Sequence, residues 1–147
     1  GGFILKVFNK ALLPVDGSEQ AERAVKKAAE LAAAGVIENL VLFNVYGTSD
    51  VDITKLHNQD KLDMLRSESQ ELLKRYEAII QAAGVSCKLK RAGGDPAALI
   101  LDLLESEDDY DLIIMGSRKL NRFQELVLGS VSDKVTRLVS IPVLIVK

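Results

Sequence analysis

Short apolar runs alternate with longer segments of helical periodicity along the chain. Five runs predict strands, at residues 11–15, 39–46, 85–91, 111–116 and 141–147. The run at 111–116 has four apolar residues in a row, which is typical of a strand buried on both faces. The run at 85–91 alternates apolar and polar residues, as expected of a half-exposed or edge strand. It includes Cys87, which we therefore predict to be a packed strand residue.

Four segments between these runs predict helices, because each has start signals followed by an apolar face. Either Asp16 or Ser18 can cap the first helix, which ends near Gly35. The second runs from about residue 60 to 83 and ends at Gly84. Its predicted apolar stripe consists of Leu62, Leu65, Leu72, Leu73, Tyr76, Ile80 and Ala83.

The third and fourth helices also have recognisable first turns. Asp95 is placed to be an N-cap, and Pro96 takes the first helical position. Ser130, with Asp133 three residues later, predicts a variant of the capping box. These elements give a β-α-β-α-β-α-β-α-β order, which indicates an α/β fold with a doubly wound, five-stranded parallel sheet and helices on both faces. In such sheets ligands bind outside the carboxyl ends of the strands.

Composition and charge narrow the function classes. The chain has 147 residues, 48% of them hydrophobic, which favours one domain over residues 1–147. Its net charge of -2 gives no electrostatic case for nucleic-acid binding. Residues 1–8 are interpreted as a tag remnant and lead-in. No apolar run approaches the roughly 20 residues that span a bilayer, and a lone cysteine suits a reducing compartment, so we expect a cytoplasmic location.

The scarcity of catalytic side chains argues against several enzyme classes. His57 is the only histidine and Cys87 the only cysteine, which excludes the usual zinc sites and disfavours Ser-His or Cys-His catalysis. A P-loop, a dinucleotide fingerprint, a C-x-x-C motif and the paired acids of a phosphoacceptor receiver are all missing. We therefore expect a binding module rather than an enzyme of one of these classes.

Three separated segments resemble the universal stress protein family. They are ALLPVDGSEQAERAVKKAAELA near the start, FNVY in the second strand, and DLIIMGS through LVLGSVSDKVTRLVSIPVLIVK at the end. The family often has a histidine before the valine of FNVY, where this chain has Asn44. The resemblance implies the strand order 3-2-1-4-5. It also implies a homodimer that forms through the last strand, from Pro142 to Val146. An apolar edge strand that would otherwise be an aggregation hazard supports this pairing, although the preceding helix could cover it instead.

The loop after the fourth strand keeps the spacing of the family's ATP motif, G-x-x-G-x9-G-[ST]. Gly116 and Gly129-Ser130 match the first and last positions, whereas Lys119 replaces the middle glycine. Gly116 can bring the backbone close to a ligand and can take φ > 0. The free N–H groups and the dipole of a helix that starts at Gly129-Ser130 favour a phosphate, although Ser130 could instead be a simple N-cap.

The resemblance implies a role for each matching residue. It places Pro14, Val15 and Asp16 beside the adenosine, Asp16 near the ribose, and the backbone of Val45 at the adenine. It places Met115 and Gly116 at the floor of the site and implies that Gly129, Ser130, Val131 and Ser132 hold the phosphates. The competing interpretation of Asp16 is a helix N-cap. The implied ligand is ATP, with or without magnesium, or a related adenine nucleotide.

Lys119 leaves two functional interpretations open. Its side chain could fill the phosphate space or require a φ that lysine adopts reluctantly, at a cost of about 1 kcal/mol or more. Alternatively, Lys119 and Arg118 could neutralise the phosphates, or both could be solvated loop charges. The first hypothesis is a homodimeric stress-response protein with a nucleotide as its regulatory ligand. The alternative is a dimeric interaction module of the same fold with an empty or remodelled site. An enzyme that hydrolyses ATP, at most very slowly, ranks last.

Overall fold

The computed structural model of the chain describes residues 7–49, 51–52, 54–117, 119–120 and 126–147. Strands and helices alternate through most of this length. In chain order the elements are β1 (Phe8–Pro14), α1 (Glu19–Ala33), β2 (Ile37–Tyr46), α2 (Leu56–Ala82), β3 (Lys88–Gly93), α3 (Pro96–Ser106), β4 (Leu112–Gly116), β5 (Lys119–Leu120), β6 (Leu126–Val127), α4 (Ser130–Leu138) and β7 (Val143–Val146).

Five of the strands form one parallel sheet in the order β3-β2-β1-β4-β7. Counting only these strands, the order is 3-2-1-4-5, so the predicted architecture is confirmed. The switch point lies between β1 and β4, on either side of which the chain winds in opposite directions. The short antiparallel pair of β5 and β6 was not predicted, because two-residue strands leave no periodic signal in a sequence.

The sheet separates two hydrophobic cores. One core lies against α1 and α2 and includes Ala11 and Leu13 of β1, while the other includes Leu12 of β1 and Ile100 of α3. Successive residues of a strand point to opposite faces, so β1 supplies both cores. Ala11, Leu12 and Leu13 are fully buried. Helices therefore cover both faces of the sheet, as the alternation of strands and helices predicted.

The ends of α2 and β3 differ from the predicted boundaries. Helix α2 begins at Leu56, about one turn before the predicted start, and ends at Ala82, so Ala83 is exposed rather than part of the apolar stripe. The Val85 N–H donates to the Ile80 carbonyl at 3.4 Å, which keeps the chain at the helix end. Strand β3 consequently starts at Lys88, and Cys87 lies just before it, half-buried against the core of α1 and α2.

Helix capping follows the prediction at two starts and departs from it at another. Ser18 caps α1 by accepting the Ala21 N–H at 3.1 Å, and Asp95 caps α3 by accepting the Ala98 N–H at 2.9 Å. At α4 the predicted capping box is wrong. Gly129 is the N-cap and Ser130 the first helical residue, because the helix opens with the bond from the Asp133 N–H to the Gly129 carbonyl, 2.9 Å long.

Candidate functional site

A cavity of about 570 Å³ lies at the carboxyl edge of the sheet, where β1 and β4 end. The structure brings ten of the twelve predicted site residues to its wall. They are Pro14, Val15, Asp16, Val45, Met115, Gly116, Gly129, Ser130, Val131 and Ser132. The volume lies within the usual range for small-molecule sites. Whether these residues bind a ligand stays a prediction.

The loop from β1 to α1 forms one side of the cavity. Asp16 is exposed, and its Oδ1 accepts the Ser18 N–H at 3.0 Å. Gly17 between them has φ of 86°, a left-handed conformation that favours glycine. The interpretation of Asp16 as the N-cap is wrong, because Ser18 holds that position. One carboxylate oxygen of Asp16 shapes the turn, and the carboxylate lines the cavity.

A buried polar pair anchors this loop to the rest of the fold. The side-chain amide of Asn44 donates to the Val15 carbonyl at 2.7 Å. The Ser69 hydroxyl on α2 donates to Asn44 Oδ1 at 2.6 Å. Asn44 is 6% exposed and Ser69 3%, so both side chains are buried. These hydrogen bonds satisfy polar atoms that have no access to bulk water. The sequence signal for this pair is an asparagine that interrupts the apolar run from Leu40 to Tyr46.

The predicted reason for glycine at position 116 is wrong in part. Gly116 is not among the glycines with positive φ, which are Gly17, Gly35, Gly84 and Gly94. A Cβ at position 116 would instead lie 2.4 Å from the Gln20 carbonyl oxygen in the first turn of α1. The glycine is needed because the end of β4 approaches the backbone of α1. This contact sets the width of the site between the two elements.

The first turn of α4 closes another side of the cavity. Gly129 caps the helix with φ of -70°, and no side chain in the described part of the chain caps it. The interpretation of Ser130 as an N-cap is therefore wrong. Ser132 has its hydroxyl 3.5 Å from the Gly116 carbonyl oxygen, which ties α4 to the end of β4. The first N–H groups of a helix have no partner inside it, so this turn presents donors at the cavity wall.

The two remaining predicted residues are Arg118 and Lys119. Arg118 lies outside the described residues. Lys119 belongs to β5 and pairs with Val127, so its backbone is extended. The backbone strain expected at Lys119 therefore does not arise, because any residue can adopt extended backbone. The structure describes the backbone of Lys119 but not the position of its side chain.

Seven further residues line the cavity without having been predicted. They are Ser18, Gln20, Ala21, Phe43, Pro96, Ile100 and Ser117. Pro96 and Ile100 bring the start of α3 to the site. The Gly93-Gly94 pair just before them is the sequence signal that indicates this strand end. Gln20 and Ala21 reach the wall through the close contact of α1 with Gly116. Only the three-dimensional packing of α1 on β4 could have identified them.

The described part of the cavity wall carries little charge. Among the described residues that line it, Asp16 is the only one with an ionisable side chain. Two of the carboxylates with lowered pKa lie elsewhere: the Lys90 ammonium lowers the pKa of Glu107, and the Lys10 ammonium lowers that of Asp109. No cluster of metal-binding side chains occurs within the described ranges. This part of the wall offers hydroxyls and backbone donors rather than an acid–base pair.

The comparisons with known proteins agree with the residues matched in the sequence. The model of the universal stress protein family matches residues 8–147. The universal stress protein YxiE of Bacillus subtilis is 35% identical over 149 residues, which cover 96% of this chain and 100% of the relative. A putative universal stress protein of Staphylococcus haemolyticus is 32% identical over 141 residues, which cover 95% of this chain and 85% of the relative.

Solved structures share the fold over nearly the whole chain. Universal stress protein UspA from Lactobacillus plantarum superposes with a TM-score of 0.81 at 20% identity, covering 97% of this chain and 99% of its own. A universal stress protein in complex with cAMP gives 0.69 at 23% identity, with 96% and 98% covered. One from Archaeoglobus fulgidus in complex with dAMP gives 0.66 at 23%, with 96% and 99% covered. At these identities the likeness shows the fold alone.

Proposed function

This chain belongs to the universal stress protein family, and we propose that it is a cytoplasmic, homodimeric, single-domain stress-response member that binds an adenine nucleotide as a regulatory ligand. The observation that carries the proposal is the cavity at the switch point. It brings Asp16 of the β1–α1 loop, Gly116 of β4 and the first turn of α4, which no described side chain caps, around one space. Two structural neighbours that were solved with cAMP and dAMP support the ligand class.

The proposed arrangement follows the chemistry of the wall. The ribose lies by Asp16, whose second carboxylate oxygen can accept from a hydroxyl while the first holds the Ser18 N–H. The phosphates lie at the first turn of α4, where free N–H groups, the helix dipole and the Ser130 hydroxyl favour an anion. The Ser132 hydroxyl adds a donor when it turns from the Gly116 carbonyl to the phosphate. Pro14, Met115 and Val131 supply apolar contacts to the nucleoside.

ATP, with or without magnesium, is the finer proposal, and titration calorimetry tests it. Wild-type protein is titrated with ATP, AMP and cAMP, each in the presence and in the absence of magnesium. Saturable binding of at least one of them is expected. The absence of heat and of a thermal shift at millimolar concentrations of all three would refute the nucleotide proposal. That result would favour the alternative, a dimeric interaction module. This alternative is also supported by the described part of the cavity wall, in which no side chain carries a positive charge that could hold a phosphate.

Lys119 is proposed to assist binding rather than to block it. Asp16 is the only ionisable side chain among the described cavity residues, so a triphosphate needs a cation from beyond them. Arg118 and Lys119 follow the cavity residues Gly116 and Ser117 directly in the chain. We expect Lys119→Gly to weaken ATP binding about fivefold or more and to change adenosine binding little, since one charge-assisted contact contributes about 1 kcal/mol or more. Tighter ATP binding by the variant would instead show that lysine obstructs the phosphates.

Catalysis is not part of the proposal beyond, at most, very slow ATP hydrolysis. The described wall has one carboxylate and no second group with which it could share a proton transfer. Steady phosphate release that Asp16→Ala abolishes would contradict this view and make the chain an ATPase.

The homodimer is proposed to form through the exposed edge of β7, residues 142–146. β7 is the last strand of the sheet, and Leu144 in it is 37% exposed. The Ser117 N–H donates to the Val146 carbonyl, so Ile145, one position away, directs its own N–H to the free edge. We expect Ile145→Pro to give a monomer in analytical ultracentrifugation, while Ile145→Ala, which loses apolar contacts but keeps the N–H, stays dimeric. A monomeric wild type would refute the dimer.

A further inference from the structure

The carbonyl of Val15 has an unusual hydrogen-bond partner. Val15 follows the last residue of β1, and its N–H still donates to the Phe43 carbonyl of β2 at 2.9 Å. Its carbonyl accepts from the side-chain amide of Asn44 at 2.7 Å. The pairing of β1 with β2 ends at the couple Pro14–Phe43. A side chain therefore occupies the carbonyl at which the ladder would have continued.

The direction of the neighbouring peptide groups shows which backbone donor is displaced. The Phe43 carbonyl points to β1, and the Tyr46 carbonyl accepts the Gly94 N–H at 3.0 Å, so Tyr46 points to β3. Successive residues of a strand direct their backbone groups to opposite neighbours. The N–H and carbonyl of Val45 consequently point to the β1 side. A continued parallel ladder would pair that N–H with the Val15 carbonyl, and no such bond occurs between these two described residues.

We infer that Asn44 is a positioning residue: its amide takes the Val15 carbonyl and thereby keeps the backbone N–H and carbonyl of Val45 available to a ligand. The inference rests on the proposed nucleotide function and deepens it to base specificity. Val45 lines the cavity. One donor beside one acceptor matches the Watson–Crick edge of adenine, which accepts at N1 and donates from N6. Hypoxanthine, the base of inosine, has the opposite arrangement and is disfavoured.

Ser69 gives the Asn44 amide its orientation. Its hydroxyl donates to Asn44 Oδ1 at 2.6 Å, so the NH₂ end of the amide is left to face Val15. Both side chains are buried, and bulk water does not compete for these bonds. Helix α2 thus contributes to base recognition through Ser69, which does not line the cavity.

The same chemistry distinguishes the substitutions at position 44. Leucine has a similar volume but no donor, so the Val15 carbonyl is free to pair with the Val45 N–H. Aspartate accepts from Ser69 but, ionised, offers no hydrogen to Val15. Histidine keeps one donor and one acceptor in its neutral form and can replace both bonds of the amide.

Amide hydrogen exchange of the ligand-free protein, followed by NMR, tests the positioning role. In the wild type the Val45 amide is expected to exchange rapidly, whereas in Asn44→Leu and Asn44→Asp it becomes at least about tenfold slower as it joins the ladder. Asn44→His should resemble the wild type. A Val45 amide that is already protected in the wild type, or equally fast in all four proteins, overturns the inference. This arm needs no ligand and is independent of the proposed function.

A binding arm then tests the specificity. The wild type and Asn44→His should bind AMP about tenfold or more tightly than IMP, which corresponds to about one hydrogen bond gained or lost. In Asn44→Leu this ratio should fall towards one. Equal weakening of AMP and IMP by Asn44→Leu would reveal a merely structural residue and overturn the inference. Failure of every nucleotide to bind the wild type, with the exchange results as expected, would refute the proposed function while keeping the effect of Asn44 on the ladder.

Discussion

The two ends of the same parallel strands satisfy their polar groups in different ways. Before β4, both carboxylate oxygens of Asp111 accept backbone N–H groups at the start of β1, from Asn9 at 2.8 Å and Lys10 at 2.9 Å. Lys10 pairs with Asp109 at 3.1 Å and lies over the Tyr110 ring, 4.3 Å from its centroid. At the carboxyl ends, backbone groups and hydroxyls surround an open cavity instead. The amino end is internally paired, whereas the carboxyl end borders the cavity in which we propose that a ligand binds.

This difference explains why stability and recognition should separate in mutants. A residue of the amino end contributes bonds that exist only in the folded protein, so its loss lowers the free energy of unfolding. A residue of the carboxyl end shapes a space, so its change should alter affinity. The following predictions test this separation, from the largest expected effect to the smallest.

Gly116→Ala should give the largest change, because it acts on both quantities. Its Cβ would lie 2.4 Å from the Gln20 carbonyl oxygen, a backbone atom that can move only if α1 moves. We expect nucleotide affinity to fall about tenfold or more and the free energy of unfolding to fall by about 1–3 kcal/mol. Calorimetry and urea denaturation measure the two effects.

Gly47→Ala is the matched control for this change. A Cβ at Gly47 meets nothing within 4 Å, and its φ is not positive. Both affinity and stability should therefore stay near the wild-type values. A Gly116→Ala protein that binds and unfolds like Gly47→Ala would contradict the close approach of β4 to α1.

Asp111→Ala should lower stability and leave nucleotide affinity unchanged. It removes two hydrogen bonds between a carboxylate and backbone N–H groups, and we expect a loss of about 2 kcal/mol in urea denaturation. Asp102→Ala removes the same charge from the exposed side of α3 and should change stability by less than about 0.5 kcal/mol. If Asp111→Ala binds nucleotide more weakly under conditions in which all of the variant is folded, the proposed separation of the two ends is wrong.

Acid should weaken the amino end by a smaller amount. The Lys10 ammonium holds the pKa of Asp109 below its ordinary value of 3.8, and the Lys90 ammonium holds that of Glu107 below 4.5. A lowered folded-state pKa stabilises the protein above the ordinary pKa, and that stability is lost as pH falls through the folded-state pKa. We expect unfolding free energy to decline as pH falls below these ordinary values, with a shallower decline in Lys10→Met. An identical pH slope in Lys10→Met would remove Asp109 from the explanation.

Much of the sheet and many cavity residues could be predicted because they depend on local patterns. Continuous apolar runs identify buried parallel strands, and the residues after such strands meet at one edge whatever the details of packing. This reasoning predicts that Asp16 and Gly116 lie at one site, and the family resemblance adds Gly129 to them. The capping of α3 by Asp95 was also local, since its partner lies three residues away.

Other features depend on contacts between distant residues and leave no local signal. Gly116 is required by the backbone of Gln20, nearly a hundred positions earlier, and no periodicity links the two. The partners of Asn44 are Val15, just after β1, and Ser69 of α2, so the sequence around Asn44 shows only a polar residue within an apolar run. Cys87 was placed in β3 by alternation, yet the bond from Val85 to Ile80 delays the strand. Alternation still identified its half-buried side, and burial raises the pKa of its thiol to about 11.

The end of β4 connects two regions through a single peptide. The Gly116 carbonyl oxygen lies 3.5 Å from the Ser132 hydroxyl at the cavity, and the next residue, Ser117, donates its N–H to the Val146 carbonyl of the outermost strand. Peptide planes are stiff, so these two contacts cannot rotate independently of one another. A tilt of this plane therefore moves the cavity floor and the last strand together. One peptide group connects the two regions covalently, with no hinge between them.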